Sequence, residues 1–383
     1  MMRRGWPLVA LATAVIQMAA AERAFAQRPK IMLTGYWPPS NEALRQFSTD
    51  PVLNPNGWAG SNWEGRGYDI HSFFPTFSPA TCTSCGVGMG QLKVDYQDTT
   101  QDFWAIADSL QPAAIITFSR GFPGVSWEVE MNQFNRSVWI QDFVPPLTPT
   151  PSPPDASVPA GFLRQSTLPV QNIVNGILAA NVPVNPGICA TADGGGFLSE
   201  FIAYLGVWYQ SIHEWPDDPA WCAAAGHIHV GTQVTWPLAI QAAEVTLREL
   251  TVHLDGIRAT TVCQQDLGFQ GPGSAALQAC GGQLGYAGNT ADVRVTDALP
   301  QTVGVLALGA QSNPTPLFAG TAVPLPAFFV ETIVFDADGS WLAEGLLQAP
   351  PMPMPDVFAQ VAYLDASLPE GFGLSNALRI VLQ

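Results

Sequence analysis

The apolar positions of this chain change period along its length. Ile31-Met32-Leu33-Thr34-Gly35 is a short apolar run closed by a turn, which predicts a first strand. Asp102 to Leu110 has helical spacing, and Pro112 to Phe118 reads as a strand buried on both faces. Val182 to Cys189 and Gly226 to Val230 are further strand candidates. Leu168 to Ala180 and Glu200 to Ile212 repeat their apolar residues every three or four positions. Phe201, Ile202, Leu205, Trp208, Tyr209 and Ile212 form one broad stripe, predicting an amphipathic helix laid on a sheet. A helix over about Pro237 to Leu254 follows. Alternating strands and helices predict a three-layer α/β/α domain with a mostly parallel sheet, and the Pro-rich stretch Pro145 to Pro159 is a surface loop within it.

Beyond about Thr260 the period shortens. Short β-type runs recur at Ala291–Val295, Thr302–Leu308, Phe328–Phe335, Val357–Leu364 and Leu378–Leu382, separated by Gly, Pro and Asp. This predicts an all-β sandwich. Charge thins as well: this part has two arginines, ten acidic residues and no lysine. The division expected is 1–26 as a signal peptide, 27–259 as an α/β domain, and 260–383 as a C-terminal β-sandwich module for binding or surface attachment.

The signal peptide is read from Arg3-Arg4, an apolar run from Trp6 to Ala21, and the cleavage pattern Ala24-Phe25-Ala26. It predicts a secreted or periplasmic protein. No run reaches the length of a membrane span, so no stable membrane insertion is expected. The net charge is −16, and lysine occurs only at 30 and 93. A nucleic-acid partner is excluded, because nothing supplies the cationic footprint it needs. The six cysteines predict disulfides, with neighbours in order favoured: 82–85, 189–222 and 263–280. Cys82-Thr83-Ser84-Cys85 also has the form of half a zinc site or a redox pair.

Three polar residues in chain order, Glu130, Ser199 and His229, suit an acid, a nucleophile and a base. Ser199 ends the run Gly194-Gly195-Gly196-Phe197-Leu198-Ser199 and opens a helix. It reads either as a helix N-cap or as a nucleophile whose neighbouring backbone amides form an oxyanion hole. His229 would take the serine proton and Glu130 would orient it, with Glu128 as the rival acid. Ser119, at the end of a buried strand, is a competing nucleophile in a partial elbow motif. Arg120 suits either a substrate carboxylate or an ion pair with Glu128 or Asp142. His227 and His229 share a strand face, and His71, His213 and Asp193 are the only further ligand candidates, so no metal and no cofactor are expected.

Residues from about Lys30 to Val230 resemble the pyroglutamyl peptidases (pyrrolidone-carboxylate peptidases). Thr34-Gly35-Tyr36-Trp37-Pro38-Pro39 is similar to that family's opening motif, and Asn54-Pro55 to the Asn-Pro that follows it. Glu130 to Asn135 matches the catalytic-Glu segment in its first and last residues, and Thr167-Leu168-Pro169 matches a segment preceding a helix. Gly194 to Glu200 resembles the catalytic-Cys segment, and Gly226 to Gly231 the catalytic-His segment. The nucleophile position holds Ser199 in place of Cys, Arg120 falls near a family glutamine that reads the lactam, and Arg136 is shifted from the family's arginine. The resemblance implies a hydrolase acting on a small peptide or amide, or an ester, through Glu130, Ser199 and His229. Tyr36, Arg120, Gly195, Gly196 and Phe197 would bind the substrate. The alternative is an inactive relative that binds an extracellular peptide or glycan.

Overall fold

The computed structural model describes residues 28–82, 85–191, 195–351 and 354–382. The expected signal peptide, Asp193 and Gly194 lie outside them. In chain order the first part runs β1 (Lys30–Thr34), α1 (Ser40–Leu44), β2 (Asp69–Phe73), α2 (Tyr96–Leu110), β3 (Ala114–Arg120), β4 (Ser126–Glu130), β5 (Asn132–Phe134) and β6 (Leu163–Gln165). It continues with α3 (Val170–Ala179), β7 (Asn185–Cys189), α4 (Leu198–Ile212), β8 (Ala224–Val230) and α5 (Trp236–Thr260). The main sheet has the order β2-β1-β3-β8-β4-β7. Its pairings are parallel except that of β4 with β8.

Both faces of this sheet are covered. Ile116, Phe118, Val129 and Ile228 pack with Ile173 and Ile177 of α3 and Leu247, Leu250 and Leu254 of α5. On the other face Met32, Ile115 and Ala225 pack with Phe103 of α2 and Phe201, Ile202 and Leu205 of α4. The three-layer arrangement expected from the alternation of elements is therefore present. α4 differs from its expected single stripe. Leu198, Glu200 to Val207, Tyr209 and Gln210 are all buried, because β5 and β6 cover the side away from the sheet. Ile212, counted in the stripe, projects outward at 48% exposure.

The last part continues with β9 (Val262–Cys263), β10 (Gln265–Gly268), β11 (Ala276–Gly281), β12 (Thr290–Thr296), β13 (Val303–Gly309), β14 (Thr315–Leu317) and β15 (Gly320–Ala322). β16 (Ala327–Val334), β17 (Trp341–Gln348), β18 (Val357–Leu364), β19 (Phe372–Leu374) and β20 (Ala377–Ile380) complete it. Two antiparallel sheets, β10-β20-β18-β13-β16 and β17-β12-β11-β9, share one apolar core. Leu277 and Val293 of one sheet meet Leu306, Ile333 and Val361 of the other.

Cys82–Cys85 and Cys263–Cys280 are disulfides. The third expected pairing, 189–222, is not formed. Cys189 pairs in register with Glu130 on β4, and β4 separates it from β8. Two strand spacings make about 10 Å, beyond disulfide reach. Cys222 is fully buried under α2 and α4, in an apolar setting that raises its thiol pKa far above the ordinary value.

Candidate active site

Three neighbouring strands carry the candidate residues at alternate positions. β3 reads Thr117-Phe118-Ser119, β4 reads Glu128-Val129-Glu130, and β8 reads His227-Ile228-His229. The register pairs Thr117 with His227 and Ser119 with His229. It pairs Glu128 with His229 and Glu130 with His227. Paired residues share a sheet face, so these six polar side chains make one stripe, while Phe118, Val129 and Ile228 face the opposite core. β3 is buried on both faces from Ala114 to Ser119, as expected, but from Thr117 onward one of those faces is polar.

The stripe has two ends with different chemistry. At one end His229 Nδ1 lies 2.5 Å from Glu130 Oε1, with both residues at least 95% buried. A carboxylate accepts, so Nδ1 carries the hydrogen and Nε2 is left with its lone pair. Glu128, the rival acid, stays beside the pair in register without displacing Glu130.

At the other end His227 is completely buried. Its Nδ1 lies 2.8 Å from Thr117 Oγ1, and its Nε2 lies 2.8 Å from Ser119 Oγ. Thr117 also donates to the Gly226 carbonyl at 3.3 Å. Its single proton is thus committed, so His227 Nδ1–H donates to Thr117 and Nε2 accepts from Ser119. Burial, and next the repulsion His229 would exert if protonated, hold the His227 pKa well below its usual value, which keeps the ring neutral. The His227 and His229 rings meet edge to face at 4.6 Å.

Ser199 arrives from α4. It sits in the first turn of the helix and is not its cap: the N-cap position belongs to Phe197, which makes no side-chain capping bond. Gly195 and Gly196 have φ of +81° and +65°, a turn that residues with a Cβ rarely make. Glu200, in the same helical turn, accepts from Gly196 N–H at 2.9 Å and from Arg136 Nε at 2.6 Å. The Gly196 carbonyl in turn accepts from Ile140 N–H at 2.8 Å. One buried glutamate thus fixes the turn that delivers Ser199. It also takes the Gly196 amide out of the set that an oxyanion hole would need.

Ser199 and His229 line the same cavity, about 510 Å³ in volume, together with Trp37, Arg120, Phe122, Ile140, Phe143, Gly195 and Phe197. Glu130 stands behind His229. Of the residues expected to bind substrate, Arg120, Gly195 and Phe197 are in this wall, with the Arg120 guanidinium 5.7 Å from the Trp37 ring centroid. Tyr36 is not. It is buried, its hydroxyl bonds Thr99 Oγ1 at 2.7 Å, and its neighbour Trp37 takes the wall position. Gly196 is buried behind the wall.

Among the described residues no group of three His, Cys, Asp or Glu converges as a metal site. His71 stacks with Trp58, and His213 bonds Asp218 at 2.8 Å. Asn135, the last residue of the Glu130 segment, is fully buried and donates to the carbonyls of Asp155, Val158 and Pro159. That bonding fastens the Pro-rich loop beside the site. Sequence reasoning missed Glu200 and the wall position of Trp37, and gave Arg136 no role. An acid one residue after the candidate serine, with a cation 64 positions away, was the available signal for the Glu200–Arg136 pair.

No protein-family profile matches the chain, and no curated protein matches it. Solved structures do. A mutant pyrrolidone carboxyl peptidase from the hyperthermophile Pyrococcus furiosus is 13% identical, with 59% of this chain covering 99% of that one at a TM-score of 0.41. The enzyme from Thermococcus litoralis is 15% identical, with coverages of 60% and 96% and a TM-score of 0.42. Pyroglutamyl peptidase I from Bacillus amyloliquefaciens is 17% identical, with coverages of 59% and 97% and a TM-score of 0.39. These belong to the family whose motifs the sequence resembles. At such identities and scores the likeness assigns no activity.

Proposed function

We propose that this chain is an exported hydrolase that cleaves an amide, such as a small peptide, or an ester, with Ser199 as nucleophile, His229 as base and Glu130 as the acid that orients it. The observation that carries this reading is the buried 2.5 Å bond between His229 Nδ1 and Glu130, which leaves Nε2 as the basic nitrogen in a cavity that Ser199 also lines. Ser199 Oγ attacks the substrate carbonyl as His229 Nε2 takes its proton. The tetrahedral oxyanion is held by first-turn amides of α4, at the positive end of the helix. Collapse breaks the bond to the leaving nitrogen or oxygen, which receives the proton from His229. Water then attacks the acyl-serine ester, giving a proton to His229, which passes it to Ser199 Oγ as the acid leaves. The positions of Arg120, Gly195 and Phe197 support their role as substrate contacts. The disulfides support export. In the same reading 27–259 carries the chemistry and 260–383 is the binding module.

The test is intact-mass labelling of the mature protein with a fluorophosphonate, beside Ser199→Ala. One adduct on the native chain, absent from the variant, supports the hydrolase. No adduct on a folded sample overturns it in favour of an inactive protein that binds a peptide or glycan.

A further inference from the structure

The cavity wall is apolar and aromatic well beyond what a small polar substrate needs. Trp37, Phe143 and Phe197 form an aromatic triangle, with ring centroids 6.2 to 6.4 Å apart. Ile140 and Phe122 extend the same wall outward. Three of these wall residues remain open to water: Phe122 is 65% exposed, Ile140 57% and Phe143 50%.

The backbone holding two of them is rigidly bonded. Tyr96 Oη donates to the Ile140 carbonyl at 2.7 Å, and Tyr96 N–H donates to Asp142 at 2.9 Å. Asp142 N–H donates to the Leu147 carbonyl at 2.9 Å. Trp139, beside Ile140, turns inward against Tyr96 and Phe201. Ile140 and Phe143 are therefore held outward by a fixed segment, where an apolar partner would cover them.

We propose that the substrate carries a long apolar acyl group, alkyl or aryl, which fills the aromatic triangle and runs outward over Phe143 and Ile140. The volume supports this, since a five-membered lactam fills only a fraction of about 510 Å³. The proposal rests on the hydrolase reading of the same site.

The test is hydrolysis of a p-nitrophenyl ester series from acetate through butyrate to octanoate. Each buried methylene stabilises by about 0.8 kcal/mol, so kcat/KM is expected to rise about 10²-fold from butyrate to octanoate. Phe143→Ser is expected to cut the octanoate-to-butyrate ratio about tenfold, and Ile140→Ser to lower it in the same direction. A flat or falling series, from protein that still forms the fluorophosphonate adduct at Ser199, overturns the long-acyl proposal and leaves the hydrolase reading standing. Absence of both turnover and adduct overturns the hydrolase reading, and the substrate class with it.

Discussion

His227 and His229 are the same residue type, on one strand and one face, with rings 4.6 Å apart, yet they stand in opposite situations. His229 lies against a carboxylate and borders a cavity. His227 lies between two hydroxyls and has no exposed surface. Strand position does not separate them; the neighbouring strands do. β4 ends in Glu130, which reaches His229, while β3 supplies Thr117 and Ser119, which hold His227. The comparison teaches that a serine contact and access to a cavity are separable: one histidine has the first and the other has the second. Ser119–His227 has the hydrogen bond, but the cavity wall carries Ser199 and His229.

The largest effect that sharpens this contrast is expected from Ser199→Ala. If Ser199 is the nucleophile as proposed, kcat is expected to fall by at least about 10³-fold. Steady-state kinetics checks it, with Ser119→Ala expected to retain most of the rate. Next is Glu130→Gln, which keeps the shape but reverses the preferred tautomer of His229. A fall in kcat of about 10²- to 10⁴-fold is expected, with little change in KM. Glu200→Gln weakens the clamp on Arg136 and Gly196. Because it acts through the position of Ser199, kcat is expected to fall about tenfold while the pH profile keeps its shape.

The smallest effect on turnover is expected at the other histidine. His227→Leu leaves the Ser119 and Thr117 hydroxyls without their ring partner, so stability falls by about 1–3 kcal/mol while kcat changes less than about tenfold. Denaturant titration and kinetics on the same sample separate the two. The pH dependence carries a sign. The folded-state pKa of His227 is depressed, so below about 6.5 the unfolded chain binds a proton that the folded chain does not. Its contribution is present above that pH and is lost as pH falls toward the folded-state value. Tm between pH 7.5 and pH 5 is therefore expected to drop less in His227→Leu than in the native protein, on the order of a few degrees.

Much of this was legible because it is local. The apolar runs that became β1, β3, β7 and β8 and the stripes that became α3, α4 and α5 are periodic over short stretches. Glu130, Ser199 and His229 stood out because each follows a turn, a glycine run or a strand pattern. What was not legible depends on residues distant in the chain. Whether Tyr36 or Trp37 faces the cavity is decided by Thr99, 63 positions on, which bonds the Tyr36 hydroxyl. The burial of Glu200 follows from Arg136 and the Gly196 turn, and Ser199 lost its reading as a cap once the helix began earlier, with Phe197 at the N-cap. The pairing 189–222 failed for a topological reason. Chain order placed those cysteines next to each other, but Cys189 ends β7 and Cys222 precedes β8, and β4 lies between those two strands. The antiparallel entry of β4 also aligns Glu130 with the histidine strand, and no local pattern announces that direction.

The central claim is that Ser199, not the serine hydrogen-bonded to His227, forms the covalent intermediate. The most direct test is to trap the acyl-enzyme by acid quench during turnover of an activated ester and map the modified peptide by mass spectrometry. The account predicts one acyl group on the peptide carrying Ser199, lengthened in lifetime by Glu130→Gln. An acyl group on the peptide carrying Ser119 would contradict it and transfer the catalytic role to His227.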